Sequence, residues 1–138
     1  MISLTRQIFQ QMLDHALNGH PLEACGLVSG KAGRAARFHP TENAAKSPVW
    51  FTIPPQELLR VVRELDGQEL DLLAIFHSHP ASRAYPSAAD IAQALYPDSV
   101  YLILSLADRL KPDLRGYWIR EGKVEEVAVE IEDQPPTR

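Results

Sequence analysis

A continuous apolar run, residues 72–76, leads directly into the sequence His77-Ser78-His79-Pro80. A run that is apolar at every position predicts a strand buried on both faces of a sheet. Side chains in a strand alternate between the two faces, so His77 and His79 would point to the same face. The pattern therefore predicts an α/β fold with two imidazoles side by side at the C-terminal end of a buried strand.

The remainder of the chain alternates between helical and extended patterns. Thr5 is predicted to cap the first helix, Pro55 to open the second, and Glu121-Gly122 to turn a hairpin. Such a mixture predicts one central sheet covered by helices. The predicted helices are residues 5–18, 55–66 and 87–96, and the predicted strands are residues 24–29, 35–39, 49–53, 72–79, 100–106, 114–120 and 123–131.

The 138 residues of the chain predict one domain with its own core. We expect this domain to span residues 1–131, and residues 132–138, which include two prolines, to form a flexible C-terminal tail.

Composition and charge restrict the class of protein. A formal net charge of −4 argues against a nucleic-acid partner, since bulk binding to phosphates needs a basic surface. No apolar stretch approaches the roughly 20 residues of a membrane helix, and the first residues do not resemble a signal peptide. Cys25 is the single cysteine, which excludes an intrachain disulfide and a cysteine-rich zinc finger. These features predict a cytoplasmic protein; the oligomeric state is left open.

The two histidines predict a zinc site of the catalytic kind. Imidazole nitrogens suit zinc, and Asp90, eleven residues beyond His79, is well placed to be a third ligand. Three protein ligands leave the fourth tetrahedral position for water. The segment from Ser87 to Asp90 also has the form of a capping box, which by itself explains both residues as a helix start. The two interpretations combine if the capped first turn holds Asp90 toward the metal.

A catalytic zinc site also needs a general base, and the candidate is Glu23. It lies where a predicted helix passes into an apolar strand, an unusual place for a carboxylate. An isolated glutamate at such a position is more often a solvated loop residue, and the residues alone leave this alternative open. Cys25, two residues later, is interpreted as a small buried apolar residue rather than a ligand or a nucleophile.

Taken together, Glu23, the sequence His77-Ser78-His79-Pro80 and the segment from Ser87 to Asp90 resemble the JAMM metalloprotease family, also called the MPN-plus domain. That family has a distant upstream glutamate, then His-x-His-Pro, then Ser-x-x-Asp at the spacing seen here. The resemblance extends over residues 5–131, and the short chain is similar to the compact bacterial branch of the family.

The resemblance implies a cytidine-deaminase-like α/β fold, a mixed central sheet sandwiched by about three helices. It implies that His77, His79 and Asp90 bind Zn²⁺, that Glu23 passes a proton from the attacking water to the leaving amine, and that Ser87 stabilises the oxyanion. It implies no further cofactor. In similar bacterial proteins the substrate is a ubiquitin-like sulfur-carrier protein, whose C-terminal Gly-Gly end is freed of extra residues or of an attached amino acid such as cysteine.

Several alternatives stand beside this interpretation. One is a JAMM isopeptidase that removes ubiquitin-like modifiers from protein conjugates. Another is a non-catalytic MPN scaffold, although such proteins typically lack the metal ligands. The DNA-repair-associated branch usually has a glycine soon after His-x-His-Pro, where this chain has Ala81-Ser82-Arg83. A zinc nucleoside deaminase needs a Cys-x-x-Cys pair, and Cys25 is the single cysteine.

Overall fold

The structure is a computed structural model that describes residues 1–133. Within this range the helices are α1 (Arg6–Gly19), α2 (Pro55–Asp66) and α3 (Ala88–Ala92). The strands are β1 (Ile2–Thr5), β2 (Cys25–Lys31), β3 (Arg34–Thr41), β4 (Asp71–His79), β5 (Val100–Ser105), β6 (Asp113–Arg120), β7 (Lys123–Val127) and β8 (Val129–Glu132). No helix in this part of the chain is long and apolar enough to cross a membrane.

All the described strands form one mixed sheet in the order β7-β6-β5-β4-β2-β3-β1-β8. Strand β4 lies near its centre, parallel to β5 and antiparallel to β2. Helix α1 covers one face, where Met12 packs in the same core as Phe76, and α2 covers the other, where Val61 packs in the same core as Ile75. The predicted mixed sheet with helices on both faces is confirmed. Because side chains alternate along β4, His77 and His79 lie on the face of Ile75.

The helix starts are close to their predicted positions. Thr5 caps α1, its hydroxyl accepting a hydrogen bond of 3.1 Å from the Ile8 N–H. Helix α2 begins at Pro55 and is capped by Gly67. The prediction for α3 was too long, because after Gln93 the backbone N–H groups of Leu95 and Tyr96 donate to the Tyr101 hydroxyl instead of to helical carbonyls.

The strands differ from prediction at the edges of the sheet. Strand β1 was not predicted, and the strand predicted over residues 123–131 is two strands interrupted at Ala128. Val127 pairs with β6 at one edge, while Val129 pairs with β1 at the other. A single residue, Ala128, thus connects strands at opposite edges, which requires a strongly curled sheet. A Cβ on Gly116 of β6 would accordingly lie 3.1 Å from the Val129 side chain.

Residues 49–53 form no strand, contrary to prediction; they belong to a loop that runs from β3 to α2. Strand β8 extends to Glu132, one residue beyond the predicted domain boundary. The remainder of the predicted tail, residues 134–138, lies outside the described residues.

Candidate metal centre

Four predicted site residues meet at one end of the sheet. His77 and His79 lie in the last three residues of β4. Asp90 lies in the first turn of α3, and Glu23 lies two residues before the start of β2. Cys25 pairs with His77, and the Ser78 N–H donates to the Ala24 carbonyl at 2.9 Å. The antiparallel register therefore carries Glu23 alongside His79. All four side chains are buried.

Three potential ligand atoms form a nearly equilateral triangle. The His77 Nε2 atom lies 3.2 Å from His79 Nε2 and 3.1 Å from Asp90 Oδ2, and His79 Nε2 lies 3.0 Å from Asp90 Oδ2. Four ligands about 2.0 Å from a tetrahedral zinc ion stand roughly 3.3 Å apart. The spacing of the three atoms is therefore close to one face of such a tetrahedron.

The proton positions also favour a cation inside this triangle. His79 Nδ1 lies 2.8 Å from the Arg83 carbonyl, an acceptor, so Nδ1 carries a proton. In the neutral ring the Nε2 atom then presents a lone pair to Asp90 Oδ2, which is also an acceptor. Two acceptors at 3.0 Å need a positive charge between or beside them. A metal-binding histidine usually donates the N–H of its other ring nitrogen to a carbonyl or carboxylate, which fixes the orientation of the ring.

Helix α3 holds Asp90 in place through its first turn. The Ser87 N–H donates to Asp90 Oδ2 at 2.9 Å, and the Ser87 hydroxyl oxygen accepts from the Asp90 N–H at 3.1 Å. The predicted capping box is therefore present. The hydroxyl of Ser87 acts only as an acceptor in this pair, so its own proton remains free to be donated to another group.

The electrostatics of the triangle favour the deprotonated, metal-binding forms of two donors. Burial alone would raise the pKa of Asp90, but hydrogen bonds with His77 and His79 hold that pKa well below its usual range. Burial lowers the pKa of His77, which favours the neutral imidazole. Burial also opposes the charged form of His79, but hydrogen bonds with Asp90 and the Arg83 carbonyl raise its pKa. The raised pKa of His79 and the lowered pKa of Asp90 both reflect the attraction between this imidazole and this carboxylate.

Glu23 lies beside the triangle without belonging to it. The cluster of potential ligands comprises His77, His79 and Asp90 alone among the described residues. Within residues 1–133, Glu23 Oε1 is buried without a hydrogen-bond partner. Burial raises the pKa of Glu23 to about 8, while the electrostatic influence of His79 lowers it. A buried carboxyl group with a pKa near neutrality suits proton transfer.

This burial predicts a pH dependence of stability in the metal-free protein. The pKa of Glu23 rises from an ordinary 4.5 to about 8 on folding, so the folded state keeps a proton that the unfolded chain has lost. The resulting stabilisation is fully present below pH 4.5 and is lost as the pH rises through about 8. At about 1.4 kcal/mol per pKa unit, this amounts to roughly 3–5 kcal/mol.

Urea unfolding of the metal-free protein between pH 5 and pH 9 measures this effect. The free energy of unfolding should fall more steeply with pH in the wild-type protein than in Glu23→Gln, whose neutral amide does not titrate. Equal slopes in the two proteins would show that Glu23 ionises as readily in the folded state as in the unfolded one.

Sequence analysis did not identify two residues that lie near the centre. The Phe51 ring stacks on the His77 ring, with centroids 4.4 Å apart and an angle of 21° between the planes. The buried Asn43 side chain donates to the Glu23 carbonyl at 3.0 Å. From its sequence context Phe51 is a core or interface aromatic, and Asn43 lies in a polar, loop-like stretch. Phe51 lies in the strand predicted over residues 49–53, and Asn43 belongs to no periodic pattern, so neither position carried a signal that pointed to the site.

A largely apolar cavity of about 420 Å³ opens beside the centre. His77 and Asp90 line it, while Glu23 and His79 do not. It is large enough to hold part of an extended peptide chain. The side chains that form its walls are Leu27, Phe51, Ile53, Leu58, Ile75, Leu95, Tyr96 and Tyr101, among others.

Comparisons with known proteins agree with this geometry. A family model described as prokaryotic homologs of the JAB domain matches residues 5–119. The chain is similar to the CysO-cysteine peptidase of Mycobacterium tuberculosis, with 35% identity over 136 residues that cover 97% of this chain and 93% of the relative. It is 33% identical over 116 residues to the desampylase of Haloferax volcanii, covering 79% of this chain and 84% of that protein. The solution structure of a protein from Desulfitobacterium hafniense superposes with a TM-score of 0.88 at 36% identity, covering 97% of this chain and 94% of that one.

Proposed function

The chain belongs to the family of prokaryotic homologs of the JAB domain, in the JAMM type of metallopeptidase, and we propose that it hydrolyses an amide bond at the C-terminal Gly-Gly end of a ubiquitin-like sulfur-carrier protein. The bond would join the carrier to extra residues or to a single attached amino acid such as cysteine. We further propose that the metal is zinc and that the reaction takes place in the cytoplasm, where a free thiol such as that of Cys25 stays reduced.

The observation that carries this proposal is the pairing of the ligand triangle with a separate, unpartnered carboxyl group. His77, His79 and Asp90 supply two nitrogens and one oxygen at the edge lengths of a tetrahedron, a ligand set typical of catalytic zinc. When bound, the ion supplies Lewis acidity at the fourth position of the site. Glu23 lies next to His79 with a free oxygen, which a purely structural metal site does not need.

The chain's own residues divide the reaction between them. The carboxylate of Glu23 takes a proton from the attacking water and delivers it to the leaving amine as the carbon–nitrogen bond breaks. The hydroxyl of Ser87, whose proton is not used in the helix cap, donates to the oxyanion that develops on the carbonyl oxygen. Asp90 and the two histidines are held still by α3 and β4, so the ligand geometry is formed before the substrate arrives.

The substrate class is supported by the relatives and by the shape of the site. The similar protein of M. tuberculosis is named a CysO-cysteine peptidase and that of H. volcanii a desampylase. The alignment with the M. tuberculosis protein covers nearly the full length of both chains. The largely apolar cavity is lined by the proposed ligands His77 and Asp90. This arrangement suits a flexible tail that enters beside the metal and ends at the bond to be cut.

Intact-mass spectrometry tests the proposal. We expect a Gly-Gly carrier from the same cell, extended by one or two residues or bearing a C-terminal cysteine adduct, to lose the mass of its extension when incubated with the enzyme. Zinc chelation and Glu23→Gln should each abolish the loss. A non-catalytic scaffold would bind the carrier and leave its mass unchanged. Cleavage of carrier–protein isopeptide conjugates, with no processing of any extended carrier, would replace this proposal by a deconjugating role.

A further inference from the structure

The general base Glu23 lies outside the regular strands, so its backbone needs hydrogen bonds from elsewhere. Strand β2 begins at Cys25, two residues later. The Glu23 N–H donates to the Ser47 carbonyl at 2.9 Å, and the Glu23 carbonyl accepts from Asn43 Nδ2 at 3.0 Å. Both partners belong to the loop between β3 and α2, residues 42–54. This loop therefore supplies both hydrogen bonds of the Glu23 backbone and, with the pairing of β2 and β4, fixes where that backbone lies.

Asn43 is the centre of that loop. Its Nδ2 atom donates to the carbonyls of Glu23 and Trp50, and its Oδ1 atom accepts from the N–H groups of Ala45 and Thr52, each at 3.0 Å. These four hydrogen bonds use the full capacity of a side-chain amide. The side chain is largely buried, so its removal would leave several backbone groups without their partner.

The same amide also fixes a residue that contacts a metal ligand. Phe51 lies between Trp50 and Thr52, both of which are bonded to Asn43, and its ring stacks on His77. A backbone bond from the Ala44 N–H to the Thr52 carbonyl, 2.9 Å, closes the loop beside it. One side chain thus connects the backbone of the base with the packing of a ligand imidazole.

We propose that Asn43 is a positioning residue for the hydrolysis, acting through Glu23. The inference rests on the proposed function, in which Glu23 transfers the proton. Within the described residues Asn43 forms no hydrogen bond with His77, His79 or Asp90, and in this proposal it neither binds the metal nor supplies a proton. It holds the Glu23 carboxylate beside the metal triangle, and misplacement of a catalytic group by about 1 Å can cost about a hundredfold in rate.

A double-mutant cycle separates positioning from general support of the fold. Asn43→Ala should lower kcat on an extended carrier by about 10- to 100-fold, with KM changed less than threefold by our estimate and zinc content unchanged. In a Glu23→Gln background the same substitution should change kcat less than about twofold, because the group that it positions is already gone. A residue that merely supported the fold would lower kcat in both backgrounds.

Two further variants keep the test decisive. Asn43→Asp retains the acceptor for Ala45 and Thr52 but places an oxygen against the Glu23 and Trp50 carbonyls, so it should lower kcat as Asn43→Ala does. Ser99→Ala is the matched control. Its buried hydroxyl donates to the Leu72 carbonyl at 2.7 Å, at the opposite end of β4 from the site. This control should lose stability and retain kcat.

Amide hydrogen exchange provides a measurement that needs no substrate. The N–H groups of Glu23 and Thr52 should exchange at least tenfold faster in Asn43→Ala than in Ser99→Ala, compared at equal global stability. If the wild-type protein cleaves no carrier, the proposed function fails and exchange alone decides on the positioning role. Unchanged exchange at Glu23, a wild-type kcat in Asn43→Ala, or equal losses of kcat in both Glu23 backgrounds would each overturn the inference.

Discussion

Replacing His77 or Asp90 by alanine is expected to remove both the bound metal and all measurable turnover. Each variant leaves two of the three protein ligands, too few to hold the ion against water and buffer. Metal analysis of the purified proteins should find about one zinc per wild-type chain and close to none in either variant. The loss of turnover should exceed that of Glu23→Gln or Asn43→Ala, because Lewis acidity and substrate orientation disappear together.

His39→Ala is the matched control for these variants. His39 is also a buried histidine of the sheet, but its Nε2 atom lies 3.0 Å from the Ser29 hydroxyl and it does not belong to the metal triangle. This variant should keep its zinc and its turnover while losing some stability. Unchanged zinc in both His77→Ala and Asp90→Ala would contradict the assignment of the ligands.

Glu23→Gln is expected to separate metal binding from catalysis. The amide matches the carboxyl group in size and Glu23 lies outside the ligand triangle, so the variant should fold and retain about one zinc per chain. It cannot accept the proton of the attacking water, and acid–base assistance is typically worth about 10² to 10⁴ in rate. We therefore expect kcat to fall by that factor while the zinc content measured on the same sample is unchanged.

The neighbouring acid Glu42 offers the comparison for this substitution. Its side chain is exposed on the loop after β3, so Glu42→Gln alters the local charge equally without touching the centre and should leave kcat within about twofold by our estimate. Loss of zinc from Glu23→Gln would make Glu23 a ligand, and full activity in that variant would assign the base to another residue.

Local patterns were sufficient to predict how the side chains of the candidate metal site are arranged. The period of two along β4 predicted that His77 and His79 share a face, because that alternation is a property of any strand. The capping box predicted how Ser87 and Asp90 begin α3, since both hydrogen bonds lie within four residues. The end of α3 was predicted poorly, because it depends on the Tyr101 hydroxyl from a neighbouring strand.

Long-range pairing could not be predicted from the residues in the same way. The position of Glu23 beside His79 depends on the antiparallel register of β2 and β4, and the pairs that set this register are 41 to 52 residues apart in sequence. Strand β1 has four residues and is stabilised by pairing with β8 from the far end of the chain. Asn43 acts through four hydrogen bonds that form only once the loop is folded, and a single polar residue carries no periodic signal.

We propose that hydrolysis of C-terminally extended sulfur carriers by this chain depends on one metal ion, bound by His77, His79 and Asp90. A zinc titration of chelator-treated wild-type enzyme, with carrier cleavage followed by intact mass, measures this dependence. We predict no cleavage without metal, a linear rise with added zinc, and a plateau at about one zinc per chain. Cleavage at the full rate by enzyme shown by metal analysis to be metal-free would contradict the proposal.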